Sequence, residues 1–134
     1  MALATTGYVE VGRARAHLGM LGGQLVGVAI ETPMPSNRIK LSTLWVAPSL
    51  RGRGLGHELL HACTARWKAD DVPLAWITAN SAAVQAVGAL VTRHGFNLAA
   101  CECDRYGPGR HEWVFQWTPV RVASAVGPLR SRAG

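Results

Sequence analysis

The sequence predicts one mixed α/β domain built on a central sheet. A chain of 134 residues, 49% hydrophobic and 16% charged, has material for a single core. Short β-branched runs bounded by turn residues read as strands, and two stretches between them switch to helical spacing. The resulting order is strands, helix, strand, helix, strands.

Residues 18–31 (LGMLGGQLVGVAIE) break at Gly22 and Gly23, a pair that tolerates the positive φ of a hairpin turn, and so read as two paired strands. The cluster TPMPSN at 32–37 turns the chain. Residues 39–46 (IKLSTLWV) resume a strand, apolar at 39 and 41 and then, after a break in alternation, at 44–46, and Pro48 ends the ladder. From 54 to about 69 the pattern is helical, with Leu55, Leu59, Leu60, Ala62, Cys63 and Trp67 on one side and His57, His61, Thr64 and Lys68 on the other. Asp70, Asp71 and Pro73 stop that helix before a short buried strand at 74–78. A second helix at 81–93 stops at Gly95, and 96–105 with 111–117 flank a turn as a hairpin. Trp67, Trp76, Trp113, Trp117 and Tyr8 are expected in the core. His94 suits the last turn of its helix, and no partner for His17 is legible.

The net charge of +6 invites a nucleic-acid partner, but half of it lies in the final segment. Residues 120–134 carry Arg121, Arg130 and Arg132 and no acid. The chain therefore divides into a folded domain at 1–119 and a flexible basic tail at 120–134, and a nucleic-acid partner is not favoured. Cys63, Cys101 and Cys103, with no C-x-x-C, indicate neither a disulfide framework nor a zinc ribbon. Without a leader pattern or an apolar run of the ~18 residues a membrane span needs, the chain is expected to be soluble and cytoplasmic.

The stretch RGRGLGHELLHA at 51–62 offers two chemistries. His57, Glu58 and His61 spell the zinc-peptidase pattern H-E-x-x-H, which needs a third protein ligand. Its extended form requires glycine at 64 and histidine at 67, where Thr64 and Trp67 stand, and no acidic residue lies between 72 and 101. The metal reading fails on ligand count. Gly52, Gly54 and Gly56, by contrast, lead into a helix whose first amides lack intrahelical partners and carry the positive end of the macrodipole, which suits a pyrophosphate. The spacing is not that of a dinucleotide fold, which would need glycine at His57, nor that of a Walker loop.

The run Val46-Ala47-Pro48-Ser49-Leu50-Arg51-Gly52-Arg53-Gly54-Leu55-Gly56-His57-Glu58-Leu59-Leu60 resembles the acetyl-CoA-binding segment of the GNAT N-acetyltransferases, V-x-P-x-x-R/Q-G-x-G-I/L-G/A-x-x-L-L. A second family pattern, N-x-x-A-x-x-L-Y-x-x-x-G-F, is met in order by Asn80, Ala83, Leu90, Gly95 and Phe96. Leu90 follows Asn80 by ten positions where the family has six, which implies a helix longer by about one turn. Val91, or Val87 in the other register, stands where the family has its tyrosine, so the usual general acid is missing. The resemblance covers about 18–117 and implies the GNAT fold, a mixed and mostly antiparallel sheet with flanking helices. The abbreviated N-terminus is too short for the family's first strand and two helices, which wall the acceptor cleft.

That resemblance implies direct transfer of an acetyl group from acetyl-CoA to the amine of a small molecule or protein, with acetyl-CoA as cosubstrate and no metal. Leu44, Trp45 and Val46 would pair with the pantetheine arm. Gly52, Arg53, Gly54, Leu55, Gly56 and His57 would hold the pyrophosphate, with Arg51 opening the loop and Asn80 reaching the pantetheine or capping its helix. Tyr106 in the hairpin is a candidate to protonate the leaving sulfur, and Glu102, or Asp104, to lead a water to the amine. A homodimer or partner subunit would complete the open acceptor side. Two alternatives stand beside this reading: an inactive CoA-binding partner module, motivated by the missing tyrosine, and an acetyltransferase acting on aminoacyl-tRNA, motivated by the high pI.

Overall fold

A computed structural model describes residues 4–105 and 107–119; residues 1–3, Tyr106, the tail at 120–134 and the side chains of residues 4–8, Tyr8 among them, lie outside the described residues. One seven-stranded sheet runs in the order β1-β2-β3-β4-β5-β7-β6. Its strands are β1 (Ala4–Val11), β2 (Ala14–Leu21), β3 (Gln24–Met34), β4 (Arg38–Val46), β5 (Ala75–Asn80), β6 (Phe96–Glu102) and β7 (Glu112–Trp117). Helix α1 (Leu55–Ala69) joins β4 to β5, and α2 (Val84–Val91) with a 3-10 turn over Thr92–His94 joins β5 to β6. All neighbouring strands are antiparallel except β4 and β5. The mixed, mostly antiparallel sheet with flanking helices expected from the sequence is found. Among the described residues no helix is long and apolar enough to cross a membrane.

Three boundaries differ from expectation. A full strand, β1, precedes the hairpin of β2 and β3, so the N-terminal segment does supply a first strand. β3 runs on to Met34 and the turn narrows around Ser36 and Asn37, both at positive φ, because two prolines are tolerated near a strand end. The second helix is shorter than expected, not longer: residues 81–83 form a turn, and only Val84–Val91 are α-helical.

Both helices pack on one face of the sheet. Ala29, Ile39, Leu41, Ile77 and Phe115 point from the strands at Leu59, Leu60, Cys63 and Trp67 of α1 and Val91 of α2, all buried. Trp67 packs edge-on against Phe96 and Trp117, with centroids 5.9 and 5.2 Å away. Thr64, expected on the solvent side of α1, is buried, its hydroxyl donating to the His61 carbonyl at 3.1 Å, so the helix satisfies it internally. Trp76 departs from the expected core: it lies half-buried on the opposite face with the Arg38 guanidinium 5.8 Å from its ring, whereas Trp113, half-buried beside His111, packs against the core.

A polar cluster ties α1 to the sheet. Glu31 is fully buried, with Arg15 at 3.1 Å, His17 at 2.8 Å and the Trp67 indole N–H donating at 2.8 Å. This supplies the partner for His17 that the sequence did not reveal. Burial, then the charge of Glu31 and a hydrogen bond to it, push the neighbouring Cys63 thiol well above its ordinary range, so it packs as a neutral side chain. Gly27 lets α1 settle on β3: a Cβ there would stand 2.8 Å from Leu59 Cδ1 and 3.3 Å from the Trp45 carbonyl oxygen. Leu59 is fully buried and has no room to retreat.

Gly27→Ala lowers the unfolding free energy by about 1–3 kcal/mol through overpacking, read by urea titration. Glu31→Gln removes the charge between Arg15 and His17 and costs about 3–5 kcal/mol in the same assay.

Candidate active site

The site begins with a misfit in the sheet. Ile30 pairs with Thr43 and Glu31 with Leu41, so Ser42 is an extra residue in β4. Such a bulge bends its strand and sharpens the local twist. On the other side of β4, ladder pairing with β5 is limited to Ile39 with Ala75 and Lys40 with Trp76. Both strands continue, β4 to Val46 and β5 to Asn80, but they part. The resulting open cleft has a volume of about 970 Å³. Its walls include Leu44, Trp45 and Val46 from β4, Ile77 and Thr78 from β5, and Val87 and Leu90 from α2.

At the end of β4 the chain turns through a short 3-10 segment, Pro48–Leu50, into α1. Gly54 caps the helix at φ 82° in the left-handed region, and no side chain caps the first turn. The first intrahelical bond is donated by Glu58 to the Gly54 carbonyl at 3.1 Å. The amides of Leu55, Gly56 and His57 therefore precede the ladder and point out of the helix start. Gly56 also brings the helix close to its neighbours, since a Cβ would lie 3.4 Å from Leu90 and 3.8 Å from Val46.

Nine of the eleven residues expected to bind the coenzyme line this cleft: Leu44, Trp45, Val46, Arg51, Gly52, Gly54, Leu55, Gly56 and His57. Arg51 does so in an unexpected way, its Nε donating to the Val46 carbonyl at 2.9 Å and strapping the loop to the strand end. Arg53 is exposed and outside the lining, because the left-handed turns on either side swing it away. Asn80 is also outside it. Its Oδ1 accepts from the Ala83 amide at 2.9 Å, so the side chain closes the turn before α2.

The polar contact that sequence reasoning missed is between two histidines. His57 Nδ1 lies 2.9 Å from His94 Nε2, which joins the first turn of α1 to the 3-10 turn after α2. Burial, then the proximity of His57 and His61, lowers the His94 pKa, so near neutral pH one ring donates and the other accepts. His57 is thus half-buried rather than on the open polar stripe expected, while His61 is exposed. No local pattern signals a contact across 37 positions.

Of the catalytic candidates, Tyr106 lies outside the described residues. Glu102 does not line the main cleft; it is exposed at the end of β6, paired with Arg105 at 2.6 Å. It sits with Lys40, Trp76, Thr78 and Glu112 around a smaller depression of about 360 Å³ on the helix-free side of the sheet. Glu102 and Glu112 are cross-strand partners, and Thr78 borders both hollows. Asp104 is occupied in the hairpin loop, its Oδ1 accepting from the Gly109 amide at 2.7 Å.

The fold has counterparts in solved structures. The chain resembles an IAA acetyltransferase from Bacillus cereus ATCC 14579 at 18% identity and a TM-score of 0.71, covering 80% of this chain and 79% of the other. It resembles a Bacillus subtilis acetyltransferase in complex with CoA at 16% identity and a TM-score of 0.73, over 82% and 80%. A GNAT family acetyltransferase from Elizabethkingia anophelis with acetyl-CoA bound is similar at 13% and 0.72, over 80% and 77%. These likenesses establish the fold. Sequence comparison with curated proteins finds no match. The acetyltransferase (GNAT) domain family matches residues 2–107, reaching further toward the N-terminus than the motifs at 18–117 suggested. With that match spanning most of the chain, the protein belongs to the GNAT family of acetyltransferases, which transfer an acetyl group from acetyl-CoA to an amine.

Proposed function

We propose that the cleft between β4, β5 and the start of α1 binds acetyl-CoA, and that the acceptor amine reaches the thioester from the depression on the opposite face. The observation that carries this reading is the continuity of an unpaired strand edge with an uncapped helix start. Beyond Lys40 the β5-facing edge of β4 is available to an amide-bearing chain, and the glycine-lined turn that follows offers amides to a diphosphate. A volume of about 970 Å³ accommodates an elongated ligand of that kind.

The coenzyme supplies an activated acetyl thioester. Amides along residues 44–46 would orient the pantetheine arm and donate toward the carbonyl oxygen as negative charge develops there. Leu55, Gly56 and His57 would hold the diphosphate, with the His57 ring fixed by His94. Arg51 acts by keeping the loop folded against Val46, with its terminal nitrogens left for phosphate. On the acceptor side, the nitrogen of a neutral amine attacks the carbonyl, the carbon–sulfur bond breaks, and one proton passes from nitrogen to solvent while another reaches the thiolate. Glu102 and Glu112, set in the depression among Arg38, Lys40 and Arg105, would accept hydrogen bonds from the amine and guide its proton to water; Tyr106 remains the candidate donor to sulfur. Three free thiols suit a reducing compartment such as the cytoplasm.

Calorimetry with acetyl-CoA tests the coenzyme side. One saturable site is expected, and Gly54→Ala, which forces a side chain into the left-handed region, weakens binding about tenfold with the fold retained by circular dichroism. Unchanged affinity in that variant contradicts the assignment. Screening amines by coupled thiol release tests the acceptor side: the double variant Glu102→Gln, Glu112→Gln lowers kcat/KM for the accepted amine about a hundredfold. Saturable coenzyme binding with no turnover of any amine would instead mark the chain as a CoA-binding partner module.

A further inference from the structure

We infer that Cys101, Cys103 and His111 form a site for a thiophilic divalent cation, zinc above others, that clasps the β6–β7 hairpin. The ligand atoms of the three side chains all lie within 4.8 Å of one another. Two sulfurs each ~2.3 Å from one tetrahedral ion stand about 3.8 Å apart. Cys101 Sγ and Cys103 Sγ are 3.8 Å apart, whereas a disulfide would need about 2.05 Å. In the thiol form this contact is a sulfur–sulfur hydrogen bond, and two thiolates could share a metal at the same spacing.

The backbone explains why these residues converge. Cys101 lies at the end of β6 and Cys103 in the turn that follows Glu102, and the chain there brings the two sulfurs together. Glu102 pairs with Glu112 at the last rung of the hairpin ladder, and Cys103 and His111 are the residues just beyond it on either strand. His111 Nδ1 accepts from the Asp104 amide at 3.1 Å, and an ion bound at this nitrogen would replace that hydrogen bond. An ion bound to both strands would close the loop at 103–111 in the way a clip closes a long turn. Two thiolates and a neutral imidazole leave one coordination position for water or a nearby carboxylate such as Asp104.

On binding, each thiol loses its proton to solvent as its sulfur takes the metal, with no change of oxidation state. Affinity therefore rises with pH. Cys63 is buried beside Glu31 on α1 and takes no part.

The test uses the full chain, reduced and freed of metal by chelator, titrated with cobalt(II) under anaerobic conditions and then with zinc. The expected result is one equivalent of cobalt with intense tetrahedral visible bands and a thiolate charge-transfer band, both lost as zinc displaces it. Cys101→Ser, Cys103→Ser and His111→Ala each weaken zinc binding well beyond tenfold, since ~10–100-fold is lost even when only a ligand's supporting hydrogen bond is removed. Cys63→Ala retains both bands. Zinc also shields two thiols from alkylation in the unmodified chain, a readout that does not depend on variants folding. A weak octahedral spectrum, bands that survive in Cys101→Ser, or a Cys101–Cys103 disulfide that forms in the presence of excess zinc would overturn the site. None of these measurements involves acetyl-CoA, so the result stands apart from the coenzyme reading.

Discussion

The site depends on a parting of two parallel strands, and that parting follows from one surplus residue. Ser42 has no opposite number in β3, and the ladder of β4 with β5 ends just before it, at Lys40. A regular β4 would have continued its ladder with β5 and sealed the edge between them. Parallel pairing is slightly weaker per residue than antiparallel pairing, which makes this the least costly seam of the sheet to open. β3 and β4 stay paired beyond the bulge, through Val46 opposite Gly27, so the opening has one firm wall.

Helix α1 links that opening to the stability of the whole domain. Its first turn supplies the open amides, and its body carries the side chains that bury against the sheet. Trp67, near its far end, reaches Glu31, which is also held by Arg15 and His17 from β2. Buried charge of this kind is costly unless every partner is present, so it fixes one seating of the helix rather than adding much net stability. Gly27 acts to the same end by admitting Leu59. The seating determines where the amides of residues 55–57 stand relative to the β4 edge.

Much of this architecture is legible in the sequence because it rests on local periodicity. The break in alternation between Leu41 and Leu44 is the trace of the bulge, and the spaced glycines at 52, 54 and 56 mark the helix start. What was not legible is mostly non-local. His57 and His94 meet only because α1 and α2 share a face, and the partner of His17 is visible only once β2 and β3 pair. Side-chain direction was also hidden: Arg51 folds back to its own strand, Arg53 points away, and Asn80 spends its carbonyl on the following turn. The eight-residue α2 was masked by an alanine- and valine-rich stretch whose propensity extends beyond the turns that the tertiary fold imposes. Cys101 and Cys103 lack C-x-x-C spacing, yet the end of β6 and the turn after it bring their sulfurs within 3.8 Å of each other.

Amide hydrogen exchange, resolved to single residues with and without CoA, tests the central claim most directly. Coenzyme bound along the open edge and at the helix start must slow exchange at residues 44–46 and 55–57 while leaving the β1–β2 hairpin unchanged. Protection confined to other segments, or none at those amides under saturating coenzyme, would show that the parted strands and the uncapped helix do not form the binding site.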